Sequence, residues 1–259
     1  MKTQALRERL DSRMILGMRV HATSYPDAVQ RIAAWAAARE SRYVCEAPVH
    51  MVMESHDSDE YRGVINGADL VTPGGMPIVW MMRRLGVRGQ PRVYGPAMTL
   101  KVCEHAAKNG LKVGFYGGTE KSLAALLAEV EKRYLGINVV YSCAPPFRPL
   151  TEEEDARVRT DIEKAGVQIL FVGLGCPKQE RWMAEHRPRV RAVMMGVGAA
   201  FDFISGEKKQ APLWMQSMGL EWLFRLCSEP RRLWFRYFWH NPRFVALAMI
   251  QLVGSGDAR

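Results

Sequence analysis

Apolar positions fall into two spacings along most of this chain. Short continuous runs, such as Tyr43–Cys45, Lys112–Tyr116, Ile169–Val172 and Ala192–Val197, have the length of buried strands. Between them, apolar residues recur every three or four positions, as at Ala28, Ile32, Ala33, Trp35 and Ala36, or at Leu123, Leu126, Leu127 and Val130. That spacing predicts amphipathic helices. Met14 to Val20 reads as a first strand, and Ser24-Tyr25-Pro26-Asp27 opens a helix reaching about Arg39, with Ser24 or Asp27 as its cap. Helical stretches follow over Met51–Ser55, Glu60–Asn66 and Met98–Asn109, the last stopped by Gly110; Thr151-Glu152-Glu153-Glu154 caps another. Val139–Tyr141 adds a strand. Strand and helix alternate, and glycine-rich turns close the strands. This predicts an α/β fold with a parallel, doubly wound sheet.

In such a sheet the loops at the carboxyl ends of the strands make one site. Here those loops are Glu46-Ala47-Pro48, Thr72-Pro73-Gly74-Gly75, Gly117-Gly118-Thr119, Gly173-Leu174-Gly175-Cys176-Pro177-Lys178-Gln179-Glu180 and the stretch ending at Asp202. Glycines before a helix start allow backbone N–H groups to approach an anion, which suits a phosphate or nucleotide. No Walker loop and no full dinucleotide fingerprint occurs. Gln179 offers both a donor and an acceptor, fit for a sugar or a uracil edge, while Glu180 is placed to complement a helix dipole. Cys176 lacks any local signature of a nucleophile and reads as a small turn residue. Asp57-Ser58-Asp59 imitates a metal-binding D-x-D, but it separates two polar helical stretches instead of closing a strand, so helix capping accounts for it. No metal or cofactor is expected.

The pattern changes beyond Gly206. Arg225, Arg231, Arg232, Arg236 and Arg243 are interleaved with Trp222, Phe224, Trp234, Phe235, Tyr237, Phe238 and Trp239, and Pro230 and Pro242 are expected to break this segment into separate helices. Arginine and aromatic residues at helical spacing fit an interfacial helix on an anionic membrane; stacking on single-stranded nucleic acid and a packed helical cap are the other readings. The division falls at residues 1–205 and 206–259.

The 259 residues carry 36 Lys and Arg against 27 Asp and Glu, a net charge of +9, which calls for an anionic partner if the charge is used at all. Five scattered cysteines form no C-x-x-C pair and fit a reducing compartment. Residues 1–13 are polar, without the apolar run of a signal peptide, and no stretch is apolar enough for a transmembrane helix. The protein is expected in the cytoplasm, soluble or peripheral.

Together, Ala68–Trp80, Arg92–Pro96, Phe115–Thr119, Pro145–Arg148, Gly173–Trp182, Gly196–Phe203, Gln210–Trp214 and Gly219–Tyr237 resemble the WecG/TagA/CpsF family, glycosyltransferase family 26. The resemblance runs in order over nearly the whole chain from Leu16. It implies a Rossmann-like core with a C-terminal helical appendage that contacts the membrane. It also implies metal-independent, inverting transfer of a sugar from a UDP-sugar to an undecaprenyl-diphosphate-linked sugar at the inner face of the cell membrane. Family members build teichoic acid linkage units, enterobacterial common antigen, capsules and exopolysaccharides of the xanthan type. By position, Arg92, Gln179 and Asp202 fall on substrate-site residues, and Arg225 and Arg232 on appendage arginines suited to diphosphates.

Two departures stand out. The family's Thr-Pro-Asp-Gly, whose Asp is the presumed general base, reads Thr72-Pro73-Gly74-Gly75, and its Thr-x-Asn reads Glu46-Ala47-Pro48. Glu46 is one relocated base; Asp69 and His50 are rivals. A protein that binds a nucleotide-sugar or nucleic acid without turnover is the alternative. On the enzyme reading the catalytic candidates are Glu46 and Asp69. The substrate-binding set is Thr72, Gly75, Arg92, Tyr94, Gly117, Gly118, Thr119, Gly173, Gly175, Pro177, Gln179, Glu180, Asp202, Arg225, Arg232 and Arg236. The partners expected are a UDP-sugar donor carrying glucose or N-acetylmannosamine, a polyprenyl-diphosphate-linked sugar acceptor and an anionic membrane surface, with no nucleic acid. Exposed tail aromatics would also suit a homo-oligomer.

Overall fold

The computed structural model describes residues 10–256; the first nine residues of the polar start and the last three of the tail lie outside it. Six parallel strands form the central sheet: β3 (Arg42–Glu46), β4 (Leu70–Thr72), β5 (Lys112–Gly117), β6 (Asn138–Cys143), β7 (Ile169–Gly173) and β8 (Val193–Gly196). Their order across the sheet is β4-β3-β8-β7-β5-β6. Chain progress moves outward through β3 to β4 on one side and β5 to β6 on the other, so the crevice between those arms opens above β8 and β7. Two apolar layers bury the sheet: Val52, Ile78, Leu170 and Met194 lie on one side, and Ile32, Phe115, Phe171 and Phe201 on the other. The helices supplying them are α1 (Tyr25–Ala37), α2 (Val49–Asp57), α3 (Asp59–Asn66), α4 (Met76–Arg84), α5 (Gly95–Asn109), α6 (Glu120–Arg133), α7 (Glu152–Ala165) and α8 (Lys178–His186).

Most local signals act as expected. Ser24 accepts from Asp27 N, Thr119 and Thr151 form capping boxes with Ser122 and Glu154, and Gly110 ends its helix with φ 64°. In the Asp-Ser-Asp stretch, Ser58 accepts from Tyr61 N, Asp59 pairs with Arg62, and Asp57 receives two hydrogen bonds from Arg243 at 2.6 and 2.8 Å.

Two expectations need correction. Met14 to Val20 is not one strand but an antiparallel hairpin, β1 (Ser12–Ile15) and β2 (Met18–His21), with Ile15 opposite Met18. Leu16 and Gly17 make its two-residue turn at φ 48° and 85°, the left-handed geometry that a tight hairpin demands. Pro242 does not break the tail. After the short helices α9 (Ala200–Ile204), α10 (Leu213–Ser217) and α11 (Glu221–Ser228), a single helix, α12 (Pro230–Gly256), passes through it. Leu233, His240, Phe244 and Ala248 are buried at spacings of seven, four and four, which is one continuous helical face. Gln251 fixes the far end, accepting from Leu16 N and donating to Met14 O. This packing outweighs the hydrogen bond that proline removes. Pro230, by contrast, does start a helix, as its fixed φ favours.

Candidate active site

The parallel register places Glu46 beside Thr72, Cys45 and Val172 beside Gly196, and Gly117 beside Gly173. Five strand ends therefore finish at one level. Above them is a cleft of about 1780 Å³, roofed by α11 and α12. It exceeds the volume usual for one small ligand and leaves room for two substrates.

Glu46 lines this cleft at the tip of β3. Its Oε1 is enclosed and has no hydrogen-bond partner among the described residues. Burial, then the charge of Glu180, pushes its pKa up to about 8, with Arg92 pulling the other way. Gly95, in the first turn of α5, lies so close that a β-carbon there would collide with Glu46 Oε2. A glycine is what allows the longer carboxylate to fit. Gly74 stands where the family's aspartate would; the nearest neighbours of a β-carbon there are backbone atoms of Ala47 at 3.6–3.7 Å, ordinary contact, so the turn would take a side chain without a clash at that atom.

Glu180 is wholly buried and accepts from Tyr61 Oη at 3.2 Å and from Gln179 Nε2 at 2.7 Å. Burial raises its pKa as well. The charge of Glu180 thus adds to burial in disfavouring ionisation of Glu46. Tyr61 Oη also lies 3.2 Å from Cys176 Sγ, and burial holds that thiol protonated, in keeping with its reading as a turn residue.

The cleft collects most of the predicted positions: Gly75, Arg92, Tyr94, Gly118, Thr119, Gly173, Gly175, Gln179, Glu180, Asp202, Arg225, Arg232 and Arg236 all line it. Four do not. Thr72 is fully buried, with its hydroxyl on Val93 O. Gly117 adopts φ 129° and abuts the Gly173 carbonyl so tightly that a β-carbon would sit 2.5 Å away; its role is strand-to-strand contact. Pro177 is the N-cap residue of α8 and lies outside the cleft lining. Asp69 is the clear correction. It precedes β4, three residues before Thr72 and so about 10 Å below the cleft. Arg42, Arg187 and Tyr43 N all donate to its carboxylate. Those donors make it a brace at the sheet's opposite end, not a base.

Gln179 also behaves differently from a free recognition amide. Its Oε1 accepts from Gly175 N at 3.2 Å while its Nε2 donates to Glu180, so the amide expected to suit a sugar or a uracil edge is engaged within its own loop.

Residues that the sequence reading missed come from the tail and its entry. Glu221 takes Arg92 Nη2 at 2.6 Å and Tyr94 Oη at 3.0 Å, and Arg92 Nε donates to Gly74 O at 2.6 Å. Lys208 contacts Asp202 at 2.6 Å and Glu229 at 3.5 Å, and Glu229 pairs with Arg232 at 2.5 Å. No spacing signal links residue 221 to residue 92; only the folded chain does. A strand-end carboxylate over glycine loops, closed by arginine-bearing helices, can take a proton from a hydroxyl while cations hold phosphate oxygens. Residues 13–257 match the model of the glycosyl transferase WecG/TagA/CpsF family, nearly the whole described chain, and the protein therefore belongs to that family of glycosyltransferases.

Proposed function

We propose that this protein is an inverting hexosyltransferase of cell-envelope or exopolysaccharide synthesis, moving glucose or N-acetylmannosamine from a UDP-sugar to a polyprenyl-diphosphate-linked sugar. The division of labour follows the chain: the described residues up to 205 belong to the Rossmann-like core and those from 206 to the appendage that meets the anionic inner face of the membrane. The observation that carries the reading is Glu46 Oε1, enclosed and without a hydrogen-bond partner among the described residues, in the cleft that Gly74 also lines.

In this reaction the acceptor hydroxyl oxygen attacks the anomeric carbon as Glu46 accepts its proton. The new C1–O bond forms on the face opposite the departing UDP, whose diphosphate takes the electron pair of the broken C1–O bond. The Gly118-Thr119 and Gly173–Glu180 loops line the cleft where α6 and α8 begin, so the nucleotide phosphates meet helix N-termini there, while the N–H groups of Gly118, Thr119 and Gly175 are kept for Gly173 O, Ser122 Oγ and Gln179 Oε1. Arg225, Arg232 and Arg236 supply positive charge where the diphosphate develops negative charge. Burial first, and then Glu180, tunes Glu46: a carboxyl that ionises near pH 8 is a stronger proton acceptor than an ordinary glutamate once ionised.

The test is a UDP-release assay with a short polyprenyl-diphosphate sugar. For wild type, kcat/KM should rise about tenfold per pH unit below pH 8 and level off above it, because only the ionised form accepts the proton. Glu46→Gln should lower kcat by about 10²–10⁴-fold. Gly74→Asp added to Glu46→Gln should recover part of the loss and shift the rise to lower pH. Unchanged kcat in Glu46→Gln would remove Glu46 from the mechanism.

A further inference from the structure

His50 reaches the cleft from the first turn of α2, beside the arginines of α11 and α12. Its Nε2 is enclosed and has no hydrogen-bond partner among the described residues. Arg225 Nε is in the same condition. Arg92 and Arg232 have carboxylate partners, whereas Arg225 and Arg236 form no ion pair among the described residues. The Arg225 guanidinium lies over the ring of Phe203, 5.6 Å from its centroid. Pro48, which caps α2, offers its free N–H groups no side-chain acceptor. Arg225 Nε and the first N–H groups of α2 are donors without acceptors, and the unpartnered His50 Nε2 beside them becomes a further donor on gaining a proton; such a cluster describes a site that lacks its anion.

The charges facing His50 are Arg225 from α11 and Arg236 from α12, with His240 of α12 as a third group able to carry positive charge. Burial first, then these neighbours, holds the imidazole well below its ordinary pKa, so it is neutral when the cleft is empty. His240 Nε2 itself lies 3.6 Å from Glu54. A bound dianion would reverse the balance of charge around the ring.

We propose that His50, Arg225 and Arg236 form a diphosphate subsite in which His50 takes a proton from solvent as the ligand binds and donates it in a hydrogen bond to a phosphate oxygen. The inference rests on the transferase reading for its ligand class, and the diphosphate belongs either to the nucleotide donor or to the lipid acceptor. A histidine serving only to fill the interior would exchange no proton on binding.

Calorimetry on the full chain tests this at pH 7.5, in buffers of different ionisation enthalpy, with UDP, farnesyl diphosphate and inorganic pyrophosphate as probes. Wild type should take up close to one more proton per bound diphosphate than His50→Gln. Glu46 titrates near the same pH but contributes alike to both proteins, so the difference belongs to His50. Affinity of His50→Gln should be about tenfold weaker and should lose the gain that wild type shows as pH falls. An effect confined to UDP assigns the subsite to the donor, and one confined to farnesyl diphosphate assigns it to the acceptor. Wild type that binds without proton uptake overturns the proposal with no variant needed. Equal affinity and equal proton count in both proteins overturn it too, and leave the transferase reading intact. If neither UDP nor farnesyl diphosphate binds wild type, both fall.

Discussion

An ionised carboxylate enclosed as Glu46 is loses hydration, and Glu180 adds repulsion; both effects favour the protonated form. Unfolded, the same group ionises near its ordinary value of 4.5, whereas the folded value is about 8. Between those values the unfolded state holds fewer protons, so stability falls as pH rises. Glu46 therefore helps the fold fully below about pH 4.5, and that help is gone once pH has passed 8. Glu46→Gln cannot ionise and escapes the loss. At pH 8 its thermal midpoint should exceed that of wild type by about 10 °C, a difference on the order of 4 kcal/mol, and the gap should close towards pH 5. Scanning calorimetry at the two pH values decides it; a gap that does not change with pH would mean that burial leaves Glu46 untroubled. The variant expected to lose catalysis is thus expected to gain stability, as a base held in a costly environment should.

At the scale of elements, Glu221 in the first turn of α11 ties the tail to the core through Arg92 and Tyr94. Both members of the ion pair are mostly shielded, at 16% and 14% side-chain exposure, so losing one leaves the other charge uncompensated. Glu221→Gln should speed limited proteolysis between residues 205 and 230 severalfold and lower kcat/KM about tenfold, with the midpoint of global unfolding little moved. Unaltered cleavage would show that the tail is held by α12 alone. This contact also marks where the sequence stopped being informative. The strand and helix spacings, the caps at Ser24, Thr119 and Thr151, and the glycine turns are local, and each acts within a few residues. The place of Glu46 at a strand end was legible because it is local too. Glu221 with Arg92, Glu180 with Glu46, and Asp69 with Arg42 and Arg187 are tertiary pairings that no periodicity records. Pro242 failed as a helix breaker for the same reason: the face from Leu233 to Ala248 is held by packing, not by propensity.

For the whole molecule, α12 has two faces with different demands. One buries Leu233, His240, Phe244 and Ala248; the other exposes Trp234, Phe235, Phe238 and Trp239 at 52–68%, continued by Val245, Met249, Ile250 and Val253 at 60–68%. Its 27 residues extend about 40 Å, yet no helix among the described residues is long and apolar enough to cross a membrane. Large aromatic rings on a helix that lies along the surface, with basic residues such as the exposed Arg231 beside them, suit headgroup depth on an anionic bilayer. Arg232 and Arg236 line the cleft, so neutralising them would confuse attachment with catalysis. The discriminating variant is Phe235→Ser with Phe238→Ser, on the solvent face and absent from the cleft lining. In flotation with vesicles containing anionic lipid, wild type should rise with the vesicles and the double variant should remain mostly in the dense fraction. Turnover of a short, water-soluble acceptor should be the same in both. Equal flotation would assign the exposed rings to another role, contact between copies of the chain, which sedimentation would then register as a smaller assembly in the variant. Loss of turnover on the soluble acceptor would instead mean that the rings support the cleft from outside, through the T-shaped and stacked contacts linking Trp234, Phe235 and Trp239.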